Sequence, residues 1–315
     1  MVKVIAGLMG SAVSSGSPKL ATPEQLTPLL SLLHKHNIKE LDTARVYNGG
    51  KNEELLGLTS SSHTFSIATK APAFGPGTLT YDKVMSNCNA SLAALKKDKI
   101  DLYYFHGPDR QTLLQESCRA INDLYTQGRF ARWGVSNLHV DEVSSIIDIC
   151  SREGWVRPSV YQGGYNALLR GMEEPLLPKL RENGIAFYAY SPLGGGFFSK
   201  PVEQLREPPK GSRRDLMPVF SAIYVNDLSL ELLEKLTNVC EREGVAVKDA
   251  ALRWLVHHSA LGEEDGVVLG ASSVEQMEEN LRACEGGSLP GEVVRGFEEF
   301  WGRYRQREGA MVYSV

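Results

Sequence analysis

Short apolar runs alternate with amphipathic stretches along almost the whole chain. Eight runs stand out: KVIAGL (Lys3–Leu8), IKELD (Ile38–Asp42), FSIATK (Phe65–Lys70), IDLYYFH (Ile100–His106), FARWGVS (Phe130–Ser136), SVYQGGYN (Ser159–Asn166), IAFYAY (Ile185–Tyr190) and GVVLG (Gly266–Gly270). Each is too short for a buried helix and rich in β-branched or aromatic residues, which predicts strands. Between them, Val84, Cys88, Leu92 and Leu95 recur at helical spacing, and Glu116 to Leu124, Val143 to Ile149 and Leu228 to Val239 repeat the pattern. Thr22-Pro23-Glu24-Gln25 reads as a capping box with proline at the first helical position. Strands alternating with helices predict parallel pairing, and eight such units predict an α/β fold, the (β/α)8 TIM barrel. A doubly wound sheet is the competitor. It would normally carry a glycine-rich dinucleotide fingerprint after its first strand, and Gly7-Leu8-Met9-Gly10-Ser11 is not one.

One connection is out of scale. Ser191 to Asp227 contains three consecutive glycines, scattered prolines and a basic cluster. Loops beyond ~15 residues are uncommon in compact domains and usually functional. No linker or composition shift divides the sequence, so residues 1–315 are expected to form one domain.

Composition narrows the function classes. A formal charge of -4 argues against a nucleic-acid partner or an anionic membrane surface. The N-terminal MVKVIAGLMGSAV lacks a secretory apolar core, and no run approaches the ~20 apolar residues of a membrane span. Five cysteines (Cys88, Cys118, Cys150, Cys240, Cys284) are an odd number without a CxxC, which reads as scattered reduced thiols in a cytoplasmic protein. No metal site is expected.

Barrels of this class carry their active sites at the C-terminal ends of the strands. Asp42 ends the second run, Tyr47 lies in the loop after it, Lys70 ends the third and His106 ends the fourth. Ser136 and Asn137 close the fifth, Gln162 lies near the end of the sixth and Tyr190 ends the seventh. An acid, a phenol, an ammonium and an imidazole from neighbouring strands make a proton donor for carbonyl chemistry. A phenol is a poor acid, with a free pKa near ~10, and bringing it to ~7 needs ~4 kcal/mol of differential stabilisation. A close ammonium supplies that, and a carboxylate is needed to keep the ammonium charged when buried. Asp42 is therefore expected to pair with Lys70, and Lys70 to tune Tyr47. His106 is expected to hydrogen-bond the substrate carbonyl. Taken singly, Asp42 reads as a cap, His106 as a satisfied structural group and Lys70 as a solvated strand end; their joint placement favours the catalytic reading. Tyr47 to Lys51 also has Y-x-x-x-K spacing, but Asn48-Gly49-Gly50 between them disfavours the helix that motif needs.

LDTARVY, ATK, YYFHGPD, RWGVSN, YQGGYN, FYAYSPLGGG and GASSVEQMEEN, in that order, resemble the aldo-keto reductase superfamily, and within it the aflatoxin-aldehyde reductase branch. The resemblance covers essentially the whole chain. It implies NADPH bound without a Rossmann fold, and reduction of aldehydes or ketones, with the tetrad on Asp42, Tyr47, Lys70 and His106. It also implies that Ser136, Asn137 and Gln162 hold the carboxamide and that Tyr190 stacks on the nicotinamide. Ser191, Leu193 and Gly195 then begin a loop that closes over the pyrophosphate. Ser272-Ser273-Val274-Glu275 reads as a capping box whose free backbone N–H groups suit a 2′-phosphate. The resemblance adds Gly270, Gln276 and Asn280 as contacts there. Gly270 and Gln276 stand where many relatives carry Lys and Arg, so Arg213 or Arg214 of the long loop is a candidate phosphate partner; both also read as solvated loop residues. The resemblance also brings in relatives that take succinic semialdehyde and end in a segment with an arginine for the carboxylate. GAMVYSV has no basic residue after Arg307, so by that comparison acidic semialdehydes are disfavoured and a neutral carbonyl is expected. Met9, Phe74, Trp133 and Tyr313 are candidate pocket walls. Two alternatives stay open: an NADPH-binding sensor subunit, and a reductase that couples reduction to dehydration or cyclisation. Relatives include monomers and dimers, which leaves a homodimer open.

Overall fold

Each of the eight predicted strands forms and pairs in parallel with its sequence neighbours, and the first closes on the last to complete a (β/α)8 barrel. The structure is a computed structural model describing residues 2–9, 20–59 and 64–309, apart from the side chain of Arg213. The strands are β1 (Lys3–Gly7), β2 (Glu40–Asp42), β3 (Ser66–Ala71), β4 (Ile100–Phe105), β5 (Phe130–Ser136), β6 (Val160–Gly164), β7 (Ala186–Tyr190) and β8 (Gly266–Gly270). β5 and β8 keep the boundaries expected from the sequence, and the other six differ by one or two residues at one or both ends. β2 begins at Glu40 because Asn37 takes a left-handed turn and Ile38 N donates to Leu33 O, closing the preceding helix.

The helices are α1 (Pro23–Lys35), α2 (Lys51–Leu58), α3 (Tyr81–Leu95), α4 (Leu114–Thr126), α5 (Val140–Glu153) and α6 (Leu177–Glu182), one after each of the first six strands. Thr22 caps α1, accepting from Gln25 N, but the Gln25 side chain turns to Ala21 N instead of closing the box on Thr22. After β7 the long connection folds into a 3-10 segment, Gly194–Ser199, and three short helices: α7 (Val202–Arg206), α8 (Arg213–Leu216) and α9 (Val219–Tyr224). α10 (Asp227–Arg242) and α11 (Val247–His257) complete that unit. α12 (Val274–Glu285) and α13 (Gly291–Tyr304) follow β8.

Barrel strands are buried on both faces, so their residues sort into two cores. Ile5, Ala68, Leu102, Tyr104, Val160, Tyr188 and Val268 fill the barrel interior, and a larger apolar layer joins the strands to the helices. Trp133 belongs to that outer layer. It is fully buried and packs edge-on against Phe105, so the expectation that it lines the pocket is wrong. Its strand neighbour Arg132 points inward instead, to Tyr188 and Glu40. The expected cap of α12 also shifts by one residue: Ser273, not Ser272, accepts from the Gln276 amide. Tyr313 lies outside the described residues. Among the described residues, no helix is long and apolar enough to cross a membrane.

Candidate active site

Parallel register brings the polar strand ends to one mouth of the barrel. Asp42 sits opposite Ala68, Lys70 opposite Tyr104, and Ser136 opposite Gln162. Lys70 Nζ donates to Asp42 Oδ1 at 2.5 Å and to Thr43 O at 2.8 Å, with the lysine wholly buried. The second oxygen of Asp42 accepts from Gln162 Nε2 at 2.8 Å. The expected pairing of Asp42 with Lys70 is thus present, and Gln162 is tied to the same carboxylate. Burial pushes the Lys70 pKa down, while Asp42 and then Glu53 pull it back toward the charged form.

The ammonium lies between two tyrosine rings, 5.4 Å from the centroid of Tyr47 and 5.5 Å from that of Tyr104. Distances of this size put a cation within reach of the ring faces. The ring of His106 meets both Tyr47 and Phe74 edge-on, each at a centroid separation of 5.6 Å. Burial first, and then the Lys70 charge, push the His106 imidazole down to about 3. It is neutral at physiological pH, which suits a hydrogen-bonding group and not an acid.

Tyr47, His106, Met9 and Phe74 line one cavity of about 320 Å³, together with Val46, Asn48 and Ala73. The last three escape the sequence reading; the signal for Val46 and Asn48 is their position flanking Tyr47. Among the described residues, no carboxylate, Lys or Arg lines this cavity. Phe74 holds a left-handed backbone, with φ of 70°, and its amide donates to Pro108 O. Its ring lies over Gly107, where an added Cβ would come within 2.3 Å of it. Asp109 fastens the neighbouring loop, accepting from the Gly77, Leu79 and Gln111 amides and from the Thr112 hydroxyl.

The residues expected around a cofactor fall into three groups. At the ends of β5 to β7, Asn137 donates to His106 O and Ser136 Oγ and accepts from the Tyr190 hydroxyl at 2.7 Å. Ser136 and Gln162 are buried beside it. In the long connection, Ser191 has a left-handed backbone and its carbonyl accepts from Asn166. Leu193 accepts from Gly196 and Phe198, and Gly195 packs against Phe220. Arg214 is buried, donating to Gly194 O and Phe220 O, with Nε unpartnered and, among the described residues, no carboxylate within ion-pair distance. Arg213 opens α8, its side chain undescribed. At β8 and α12, Gly270 is exposed, and Gln276 accepts from the Ser272 amide and hydroxyl. Asn280 is fully buried with both amide atoms unpartnered.

A buried guanidinium that no carboxylate among the described residues pairs and a buried amide without a protein partner are costly unless something else satisfies them. The chemistry of each, a cation and an amide, fits the phosphate and polar groups of a phosphorylated dinucleotide.

Comparison with known proteins shows the family. Residues 4–301 match the aldo/keto reductase family. The chain is 37% identical to an aldo-keto reductase of Pseudocercospora fijiensis, over 87% of this chain and 96% of the relative. It is 38% identical to an oxidoreductase of Leptosphaeria maculans, over 93% and 90%. It is also 38% identical to the human aflatoxin B1 aldehyde reductase member 4, over 83% and 84%. With a closed barrel, a buried lysine–aspartate pair beside a tyrosine and a histidine, and family likeness along nearly its full length, this chain belongs to the aldo/keto reductase family and is an oxidoreductase acting on carbonyl groups.

Proposed function

We propose that the protein reduces an aldehyde or ketone to the alcohol with NADPH, and that Tyr47 gives the proton to the carbonyl oxygen. The observation that carries this reading is the placement of Tyr47 at the cavity, with Lys70 Nζ beside its ring and paired to Asp42, whose charge opposes the effect of burial on that amine. Lys70 favours the phenolate left after proton transfer. His106, kept neutral, holds the substrate oxygen by a hydrogen bond.

NADPH, when bound, supplies the hydride. Tyr190, fixed by Asn137, is the residue to offer its ring to the nicotinamide, while Ser136, Asn137 and Gln162 hold the carboxamide. Arg214, which holds the Gly194 carbonyl, is with Ser191, Leu193 and Gly195 the candidate for a phosphate, and Asn280 with Gly270, Ser272 and Gln276 for the adenosine end. The described lining of the cavity carries no Asp, Glu, Lys or Arg, which favours a neutral carbonyl compound, and the reductase relatives make an aldehyde the natural first probe.

The test is Tyr47→Phe. With NADPH and a panel of aromatic aldehydes, turnover is expected to fall by ~10²–10⁴-fold, the range for losing a general acid. NADPH affinity, read by protein-fluorescence quenching, is expected to stay near wild type. A Phe variant that turns over normally removes Tyr47 from the mechanism.

A further inference from the structure

The loop that carries Tyr47 is mostly exposed, from Val46 to Gly49, yet its tyrosine must hold its place beside Lys70. Two residues before Tyr47, Arg45 reaches down the outside of the barrel to Glu53 on α2, forming an ion pair with Glu53 Oε2. Glu53 has no solvent exposure at all. Its other oxygen accepts from Thr69 Oγ1 at 2.6 Å, and Thr69 is the residue before Lys70 on β3. Arg45 N also donates to Lys70 O at 3.2 Å, so the same residue is tied to β3 by backbone and side chain. Gly50 leaves room for this contact: at φ of 91° its missing Cβ would fall 2.3 Å from Arg45 Nη2. α2 is itself held, Asn52 Nδ2 donating to Leu8 O at the end of β1.

We propose that Arg45 and Glu53 are positioning residues for the reduction, a clasp on the outer face of the barrel that sets Tyr47 against Lys70 by tying its loop to Thr69. The clasp fixes the phenol from one side of β3 and the ammonium from the other, since Thr69 and Lys70 point to opposite faces of the strand. Glu53 contributes a second effect, its charge helping to keep the buried Lys70 protonated after Asp42 has done so. A carboxylate buried this completely is maintained only if it is paired and hydrogen-bonded, and Arg45 and Thr69 meet that requirement. This inference rests on the reading of Tyr47 as proton donor.

The full-length protein is compared with Arg45→Met, Arg45→Lys, Glu53→Gln and the Arg45→Met/Glu53→Gln double variant, with Tyr47→Phe as the control for the reading beneath it. The readouts are single-turnover oxidation of bound NADPH by 4-nitrobenzaldehyde across pH, NADPH affinity, and backbone hydrogen exchange of residues 44–50 without cofactor. Arg45→Met is expected to slow the single turnover by ~10–100-fold, as a misplacement near 1 Å does, with NADPH affinity within ~2-fold. Its alkaline limb moves to higher pH, because a phenol displaced from Lys70 is a weaker acid. The loop amides exchange faster, Arg45→Lys recovers part of the rate, and the double variant is no slower than the worse single variant. A residue of general structural importance would lower the fraction of protein that binds NADPH and leave the limb in place. If Arg45→Met matches wild type in rate and limb, or if its loss equals its loss of NADPH-binding protein, the clasp is refuted. An active Tyr47→Phe refutes the proton-donor reading, and the clasp with it. An inactive Tyr47→Phe beside a normal Arg45→Met refutes the clasp alone. Should Glu53→Gln not fold, the Arg45 variants, altered at a half-buried side chain, carry the test.

Discussion

The Lys70 ammonium and the Asp42 carboxylate lie 2.5 Å apart, at exposures of 0% and 3%. Breaking a buried pair from one side leaves an uncompensated charge and costs ~3–5 kcal/mol, whereas replacing both partners by apolar residues of similar volume is often nearly neutral. Asp42→Ala is therefore expected to lose stability in that range, and Asp42→Leu/Lys70→Met to lose less than either single variant, by urea unfolding. The deficit of Asp42→Ala has a sign in pH. Burial lowers the Lys70 pKa below that of the unfolded chain, so the unfolded state binds the extra proton and stability rises with pH through that window. Additive losses in the double variant, or a deficit that grows with pH, would contradict this account of the pair.

Arg214 makes a two-sided prediction. Its guanidinium is buried and donates to the Gly194 and Phe220 carbonyls, and burial lowers its pKa. Arg214→Met removes a buried cation that no carboxylate among the described residues pairs, so the cofactor-free protein is expected to be at least as stable as wild type. NADPH affinity is expected to fall by ~10-fold or more, a charge-assisted phosphate contact being worth at least ~1.4 kcal/mol. A purely structural arginine would give the reverse, a lower Tm and unchanged affinity.

Much of the barrel is legible in the sequence because strand and helix periods alternate without interruption, and Asp42, Lys70 and His106 can be read as polar groups closing apolar runs. Faces are harder. Period two puts Trp133 on the side of β5 opposite Arg132, but both sides of a barrel strand are buried, so alternation alone does not say which is the interior. The start of α12 is ambiguous for a local reason: Ser272 with Glu275 and Ser273 with Gln276 both satisfy the capping pattern, and the chain takes the second. Glu53 is hidden more completely. An acid in the first turn of a helix reads as a solvated residue favoured by the helix dipole. Only the packing of α2 against β3 shows that it is buried on Thr69.

Asp109 holds the loop beside the pocket, and its contribution depends on pH. Burial pushes its carboxyl up, and the hydrogen bonds from Leu79, Thr112, Gln111 and Gly77 outweigh burial and hold it at about 2. A carboxyl with a depressed folded-state pKa contributes stability that is complete above its unfolded value near ~4 and is lost as pH falls toward the folded value. A shift from 3.8 to about 2 corresponds to ~2 kcal/mol at ~1.36 kcal/mol per unit. The stability difference between wild type and Asp109→Asn should be flat from pH 7 to 5 and shrink by that amount between pH 4 and 2. A difference that stays constant below pH 4 would mean that the hydrogen bonds do not depend on the charge.

Phe74 tests whether the pocket wall is held under strain. A left-handed backbone at a residue other than glycine costs on the order of 1 kcal/mol, and it persists where surrounding contacts enforce it. Here the Pro108 carbonyl, the His106 ring and the space over Gly107 enforce it, turning a half-exposed phenyl ring toward the cavity. Phe74→Ala loses the ring and keeps the strain; Phe74→Gly loses both. The usual order, in which alanine is more stable than glycine by ~0.5–1 kcal/mol, should therefore disappear or reverse at this position. Both variants should also lose selectivity for aromatic over short aliphatic aldehydes in kcat/KM, because the face that an aromatic substrate would pack against is gone. If alanine keeps its ordinary advantage in urea unfolding, the backbone at Phe74 is not strained. If selectivity survives in both variants, the ring is a rim residue that the substrate does not touch.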